Sequence, residues 1–249
     1  MKEAIKSRPE RSLDRILQSQ GFGTRRECRA LIRHQQVCVD DTLCEDPDHP
    51  FAVDGLSFSV AGTPWHYQER AYLMLNKPAG YECSQKPRHH PSVYALLPKS
   101  LVVRGVQSVG RLDEDTTGLL LFSDDGQFIH RMASPKWKVN KVYRVGVRHS
   151  LDTAQIEALL QGVLLHDEPD PVAAVACVQR DDLHLDLTLA EGKYHQVKRM
   201  LAAAGNRVET LSRIAIGGLD LPLDLASGEW RWLDADALLS VQRASQTPE

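Results

Sequence analysis

The chain has 249 residues, of which 42% are hydrophobic and 25% charged, and its formal net charge at pH 7 is −3. This composition is that of an ordinary globular protein, and the length permits one or two domains. No segment of the sequence approaches the roughly 18 consecutive apolar residues that a membrane span needs, so a membrane-spanning helix is not expected. Residues 1–10 are charged and lack the apolar run of a secretory signal, so the sequence predicts a cytoplasmic protein.

The first 36 residues carry a net charge of +5 and contain two predicted helices. Ser12 is the predicted N-cap of the first helix, which residues 21–23 (Gly-Phe-Gly) end. Thr24 is the predicted N-cap of the second helix. A short strand follows at residues 37–39 (Val-Cys-Val), and Asp40-Asp41 form the predicted turn after it.

The second helix separates apolar and basic residues onto different faces. At helical spacing, Cys28, Leu31 and Ile32 form one face. The rest of the helix carries four arginines, namely Arg25, Arg26, Arg29 and Arg33. Such a group is either a solvated surface or a phosphate-binding surface, and arginines with little intervening acid favour phosphate and helical RNA.

Residues 37–70 carry a net charge of −6 and include the predicted domain boundary. Residues 56–70 contain Phe58, Pro64, Trp65 and mixed polar residues and predict a linker, which is placed at residues 59–70. The first domain is then expected at residues 1–58 and the second at residues 71–249.

The second domain alternates short β-rich segments with turns and a few helices. Its predicted strands cover residues 72–75, 118–122, 142–147, 172–178, 183–189 and 212–216, and its predicted helices cover residues 150–161, capped by Ser150, and 196–204. Many strands with few helices between them predict a mixed, largely antiparallel sheet with flanking helices. The predicted fold class is therefore α+β.

Three carboxylates, Asp113, Glu114 and Asp115, directly precede an apolar strand in a block whose net charge is +6 (residues 71–150). This arrangement is either an acidic turn before a core strand or a loop that presents a carboxylate in a cleft. The string that surrounds it, residues 110–121, reads Gly-Arg-Leu-Asp-Glu-Asp-Thr-Thr-Gly-Leu-Leu-Leu.

Four strings in one order make the sequence similar to the rRNA pseudouridine synthases of the RsuA type. They are Asn-Lys-Pro-Ala-Gly at residues 76–80, the string at 110–121, Lys-Val-Tyr-Arg-Val at 141–145, and Gly-Lys-Tyr-His-Gln-Val-Lys-Arg-Met at 192–200. The N-terminal helix–Gly–Thr-Arg-Arg–helix–Val-x-Val pattern resembles an S4 RNA-binding domain. The S4 pattern often has Asn-Gly where this chain has Asp40-Asp41, and the fold is expected to tolerate the change.

The resemblance implies a role for each of several side chains. Asp113 corresponds to the family's catalytic carboxylate, and Lys198 to the cation that pairs with it. Tyr143 is implied to stack on the target base, with a hydroxyl that helps to remove the C5 proton. Arg111 is implied to fill the space that a flipped base leaves or to hold a phosphate. Asp115 is expected to shape the loop through backbone groups of its neighbouring threonines.

The implied partner is ribosomal RNA, and the implied target is uridine 516 of 16S rRNA. A uridine inside folded RNA must be flipped out before its glycosidic bond can be rearranged. The predicted RNA-binding residues are Arg111, Arg15, Arg25, Arg26, Arg29, Arg33 and Lys77. The protein is expected to act as a monomer.

No metal or organic cofactor is expected, because the isomerisation is redox-neutral. The five cysteines are odd in number, and none are spaced as Cys-x-x-Cys, which is typical of reduced thiols. His89-His90 is the one candidate ligand pair, and adjacent histidines in a proline-rich loop are more typical of a solvated segment.

Two other functions remain open on sequence grounds. One is a large-subunit 23S rRNA pseudouridine synthase of the same family, and the other is an RNA-binding ribosome-assembly factor without chemistry. A glycosidase needs two carboxylates at one bond. Glu114 and Asp115 are not expected to reach one pocket together with Asp113, because alternate side chains of an extended loop diverge. The sequence therefore does not favour a glycosidase.

Overall fold

The computed structural model describes residues 10–243, which form two compact units. The first comprises residues up to 71 together with 97–106, and the second comprises 72–96 and the residues from 107 onward. Residues 1–9, on which the expectation about a secretory signal depends, lie outside the described residues. None of the helices within residues 10–243 combines the length and apolar character that crossing a membrane requires.

The first unit pairs short helices with small antiparallel sheets. Its elements are β1 (Glu10–Ser12), α1 (Leu13–Ser19), α2 (Arg25–Arg33), β2 (Val37–Val39), β3 (Thr42–Leu43), β4 (Pro50–Ala52), β5 (Ser57–Val60), β6 (Thr63–His66) and α3 (Lys99–Arg104). β1 pairs with β4, and the other four strands form a sheet in the order β3-β2-β5-β6. The core includes Leu13, Ile16, Leu17, Cys28 and Ile32, all fully buried.

The caps of the two N-terminal helices differ in how the side chain is used. Thr24 caps α2 with a full capping box, in which its hydroxyl accepts from the Glu27 amide and the Glu27 carboxylate accepts from Thr24. Ser12 occupies the N-cap position of α1, but its hydroxyl donates to Asp14 Oδ1 at 2.7 Å. The turn at Asp40-Asp41 has positive φ at both residues, the conformation that Asn-Gly also favours, so the departure from the S4 pattern is accommodated.

The predicted linker at residues 59–70 is wrong as a description of this segment. Residues 57–66 form the β5–β6 hairpin, in which Phe58, Val60 and Trp65 are buried. The alternation of buried and partly exposed residues along β5 is the period of a half-buried strand. Gly62 and Pro64 mark the hairpin turn and the edge strand, and the first unit therefore continues to residue 71.

The second unit is built on one large mixed sheet with flanking helices. Its elements are β7 (Tyr72–Lys77), β8 (Gln107–Val109), β9 (Thr117–Ser123), α4 (Gly126–Ala133), β10 (Lys141–Val147), α5 (Thr153–Gln161), β11 (Ala176–Gln179), β12 (His184–Leu189), α6 (Gln196–Ala203), β13 (Val208–Ile216), β14 (Leu219–Asp220), β15 (Trp230–Trp232) and α7 (Ala235–Arg243). The main strand order is β11-β12-β10-β13-β9-β7-β15.

This sheet confirms the predicted α+β class. Among its described strand pairs only β9 and β13 run parallel, and the other pairs are antiparallel. Two boundary predictions were wrong. Asp152 rather than Ser150 caps α5, through a 2.7 Å bond from the Gln155 amide. The strand expected at residues 172–178 is Ala176–Gln179, and Val172 makes an isolated bridge to Val163.

Glycine is required at position 118, where β9 and β13 approach each other. Gly118 has φ +98°, and a Cβ atom placed there would collide with the carbonyl oxygen of Arg213. The two residues are partners in the parallel pairing. The glycine of the Thr-x-Gly string therefore brings Arg213 next to the strand that follows the acidic loop.

Candidate active site

The acidic loop connects β8 to β9, and backbone interactions hold it in place. Its most buried anchor is Lys77, which has no solvent-exposed surface. The Lys77 ammonium donates to the carbonyl oxygens of Pro78, Asp113, Glu114 and Thr116 at 2.9–3.1 Å. Burial lowers the pKa of Lys77, although nearby acidic groups act in the opposite direction.

Lys77 therefore does not fit its predicted role as an RNA contact. A side chain with no exposed surface cannot reach a phosphate, and its N–H groups are already directed at backbone carbonyls. Two further contacts fix the same loop. The Gly80 amide donates to Glu114 O at 2.8 Å, and the Leu112 amide donates to Cys83 Sγ at 3.4 Å.

Asp113 lines a pocket on the second unit. The lining of this pocket includes Arg111, Asp113, Thr116, Tyr143, Lys193, His195 and Gln196. Tyr143 lies on β10 and is only 8% exposed, so its ring forms part of the wall. The structure thus brings Asp113, Tyr143 and Arg111 of the sequence prediction to one cavity.

Lys198, in the first turn of α6, contacts two carboxylates of the loop. Its ammonium lies 2.7 Å from both carboxylate oxygens of Asp115 and 3.6 Å from Asp113 Oδ2. The predicted pairing of Lys198 with Asp113 is present, but it is longer than the contact of Lys198 with Asp115. The predicted backbone role of Asp115 was wrong, because its carboxylate binds a lysine 83 residues away.

The contact with Lys198 lowers the pKa of Asp115. Burial acts to raise the pKa of Asp115, and the hydrogen bond and charge of Lys198 outweigh it, so the net shift is downward. Asp115 therefore shares the positive charge of Lys198 and fixes the ammonium beside Asp113.

His195 was missed as a site residue, although the quoted His-Gln-Val-Lys string contains it. Its Nε2 lies 3.4 Å from Asp113 Oδ1. The backbone of His195 is left-handed, with φ +48°, at the position just before α6. Its ring stacks on Tyr194, with centroids 3.8 Å apart, and Tyr194 is 74% exposed. Backbone strain of this kind is common beside functional sites.

On the first unit, the four arginines of α2 line one open depression. Two of them are held by carboxylates. Asp14, which is fully buried, accepts from Arg25 Nε and Arg29 Nη1 at 2.8 Å each, and Arg29 also binds Asp48 in a bidentate pair. Arg15, Arg26 and Arg33 are exposed and make no ion pair within residues 10–243.

Within residues 10–243, no three His, Cys, Asp or Glu side chains come together in a way that could hold a metal ion. The groups that line the pocket include a carboxylate, a phenol, an imidazole and ammonium and guanidinium cations. A carboxylate beside a flat ring, with cations close to it, can act on a base and sugar held against the ring.

Comparison with known sequences identifies the class of protein. Residues 71–203 match the family described as RNA pseudouridylate synthase, and residues 11–53 match the S4 domain. The first match covers more than half of the chain, so the chain belongs to the RNA pseudouridylate synthase family, whose members are isomerases. The predicted combination of an S4 domain with a pseudouridine-synthase domain is confirmed.

Individual relatives match nearly the whole chain. Ribosomal small subunit pseudouridine synthase A of Escherichia coli (strain K12) is 37% identical over 235 residues, covering 92% of this chain and 99% of the relative. YtzG of Bacillus subtilis (strain 168), described as an uncharacterized RNA pseudouridine synthase, is 35% identical over 229 residues, covering 91% and 96%. A solved pseudouridylate synthase is 33% identical with a TM-score of 0.66, covering 92% and 99%. These matches confirm the RsuA-type assignment.

Proposed function

We propose that the protein converts a uridine of small-subunit ribosomal RNA to pseudouridine, and that the target is uridine 516 of 16S rRNA. The observation that carries the proposal is the position of Asp113. Its carboxylate lines one pocket with Tyr143 and lies 3.6 Å from Lys198 and 3.4 Å from His195. The name of the Escherichia coli relative supports the small subunit as the source of the RNA.

The reaction breaks the N1–C1′ bond of the uridine, turns the base and joins C5 to C1′. One proton leaves C5 and one proton is bound at N1, so that the product is an isomer of the substrate. Asp113 is the carboxylate that acts on the sugar, and it must be ionised to act as a nucleophile or as a base. Lys198, held by Asp115, is a positioning residue that places a cation 3.6 Å from this carboxylate.

Tyr143 is the flat group against which the base packs. The ring belongs to the pocket wall on β10, and a tyrosine offers both an apolar face and a hydroxyl. Arg111 lies at the exposed mouth of the same pocket, where a guanidinium can contact RNA.

The arginines of the first unit supply affinity for the RNA. Arg15, Arg26 and Arg33 are exposed without an internal ion pair in the described part of the chain, and Arg25 and Arg29 are oriented by Asp14. Neutralisation of phosphates by such residues releases counterions, and the resulting affinity depends on salt.

A matched pair of variants of one loop tests the function. Asp113→Asn and Asp115→Asn each remove one carboxylate and keep the side-chain volume. The variants and the wild type are assayed for pseudouridine at each position of 16S and 23S transcripts and of small-subunit particles, and for RNA affinity. We expect Asp113→Asn to lose pseudouridine formation by at least about 10³-fold and to retain affinity. Asp115→Asn should stay within about tenfold of the wild type, since Lys198 remains available to Asp113.

Three results separate the alternatives. If Asp115→Asn abolishes the reaction while Asp113→Asn does not, Asp115 is the reacting carboxylate. Pseudouridine confined to 23S rRNA would assign the large-subunit activity. If the wild type binds ribosomal RNA and modifies none of the substrates, the protein is a binding factor without chemistry.

A further inference from the structure

A second pocket lies next to the pocket of Asp113 on the same unit. It shares Arg111, Tyr143 and Gly192 with the first pocket. Its lining includes three cations, Arg111, Lys141 and Arg213. The described residues that line it contribute no carboxylate, so its electrostatic potential is that of an anion-binding site.

Arg213 is the least accessible of the three cations, with 3% of its surface exposed. Its Nε donates to the carbonyl oxygen of Leu119 at 2.8 Å, which fixes the guanidinium plane. Its Nη2 is buried and makes no hydrogen bond to any residue within 10–243. A buried donor without an acceptor is costly, and an anion in this pocket supplies one.

Lys141 lies at the start of β10, two residues before Tyr143. Its ammonium donates to Val139 O at 2.8 Å, which leaves two further N–H groups for a ligand. Burial, and then the charge of Arg213, lower the pKa of Lys141 to about 8. Two cations are thus held close together in a partly buried place.

The ligand chemistry follows from the donors. A planar guanidinium next to an ammonium matches the oxygens of a phosphate group, with which arginine forms paired charge-assisted bonds. The position of the second pocket also indicates which phosphate it would bind, because Tyr143 and Arg111 line both pockets. A base against Tyr143 in the first pocket places its own sugar-phosphate backbone within reach of the second. Contacts to phosphates fix the register of a nucleic acid on a protein.

We propose that Arg111, Lys141 and Arg213 form a subsite for the backbone phosphate adjoining the nucleotide that is held against Asp113. The inference rests on the proposed function, which supplies the RNA. The subsite positions the sugar relative to the carboxylate, and it does not take part in the bond rearrangement.

The test neutralises one phosphate at a time. The probe is the shortest rRNA transcript that the wild type binds, remade with single methylphosphonate linkages at each position near the target uridine. The proteins are wild type, Lys141→Met, Arg111→Met, and the control Lys136→Met, which alters an exposed lysine five residues before Lys141. All are full-length, and their affinities are measured against salt.

We expect one linkage whose neutralisation weakens wild-type and Lys136→Met binding by about tenfold. The same neutral linkage should weaken RNA binding by Lys141→Met and by Arg111→Met much less, because each variant already lacks one of the cations that bind this phosphate. Each of these two variants should also lower the salt slope by about 0.7, the value for one phosphate of a single strand. Two variants are used so that misfolding of one does not decide the result.

Other outcomes overturn the proposal. If every neutral linkage affects wild type and Lys141→Met equally, the pocket does not bind a backbone phosphate. If inorganic phosphate raises the melting temperature of the wild type but not of Lys141→Met, while no linkage matters, the site binds free phosphate instead. A failure of the proposed function looks different, because pseudouridine would then be absent from all substrates while the linkage effect persists.

Discussion

Lys77→Met tests whether the acidic loop depends on a buried cation. The change keeps an unbranched side chain and removes an ammonium that serves four carbonyl oxygens at 2.9–3.1 Å. An ammonium has three protons, so at most three of these bonds are strong at one time. A buried acceptor left unsatisfied costs about 1–3 kcal/mol. Methionine, in return, avoids the desolvation of a buried charge.

The net loss in the free energy of unfolding should be about 3 kcal/mol, since carbonyl oxygens left without a donor cost about 1–3 kcal/mol each and the regained desolvation energy offsets part of that cost. For a protein of this size that corresponds to a decrease of about 6–12 °C in melting temperature, measured by calorimetry. Pseudouridine formation, measured well below that temperature, should fall by about 10²-fold, since a displacement of 1 Å in the loop misplaces Asp113. RNA affinity should change little.

Lys86→Met is the matched control, since Lys86 belongs to the same unit and is exposed. Its effect on stability should stay within about 0.5 kcal/mol. The reasoning is refuted if Lys77→Met melts with the wild type and instead lowers the salt slope of RNA binding by about one unit, as loss of a phosphate contact would.

Two further predictions concern the first unit. Asp14 is buried and, although burial acts to raise its pKa, hydrogen bonds from Ser12 and the arginines of α2 hold that pKa well below its usual range. Its stabilising contribution is therefore complete above about pH 4 and is lost as pH falls through the depressed value of the folded state. Urea unfolding of Asp14→Asn should show a loss of about 3–5 kcal/mol at pH 7 and a weaker dependence on acid than wild type. Equal stability of Asp14→Asn and the exposed Asp41→Asn at pH 7 would contradict this. Arg26→Met and Arg33→Met should each lower the salt slope of RNA binding by about 0.7–0.9 without loss of stability, and an unchanged slope would remove these arginines from the RNA interface.

Local patterns in the sequence were sufficient for much of the fold. The capping box of Thr24 and Glu27 lies within four residues, and the alternate leucines at positions 185, 187 and 189 of β12 are all buried. Both depend on interactions between near neighbours, which a sequence displays directly. The hairpin at residues 57–66 was mistaken for a linker, because proline and mixed polar residues are common to both kinds of segment.

Long-range pairing accounts for most of what the sequence did not show in the site. The partner of Asp115 is 83 residues away, and the acceptors of Lys77 are up to 39 residues away. A lysine in a turn motif gives no sign that it is buried, since lysine is rarely so. Lys141 and Arg213 come together through the pairing of β10 with β13, which depends on strand order and not on local pattern.

The way in which Lys77 holds the acidic loop has a consequence for how this enzyme can change over time. The ammonium recognises only main-chain oxygens, including those of Asp113, Glu114 and Thr116, and these oxygens are the same whatever side chains the residues carry. The side chain at position 114, which is exposed, is therefore free to vary while the curvature of the loop persists. Substitutions can accumulate there without moving the carboxylate at position 113, so that the exposed surface of the loop and the chemistry in the pocket can diverge independently.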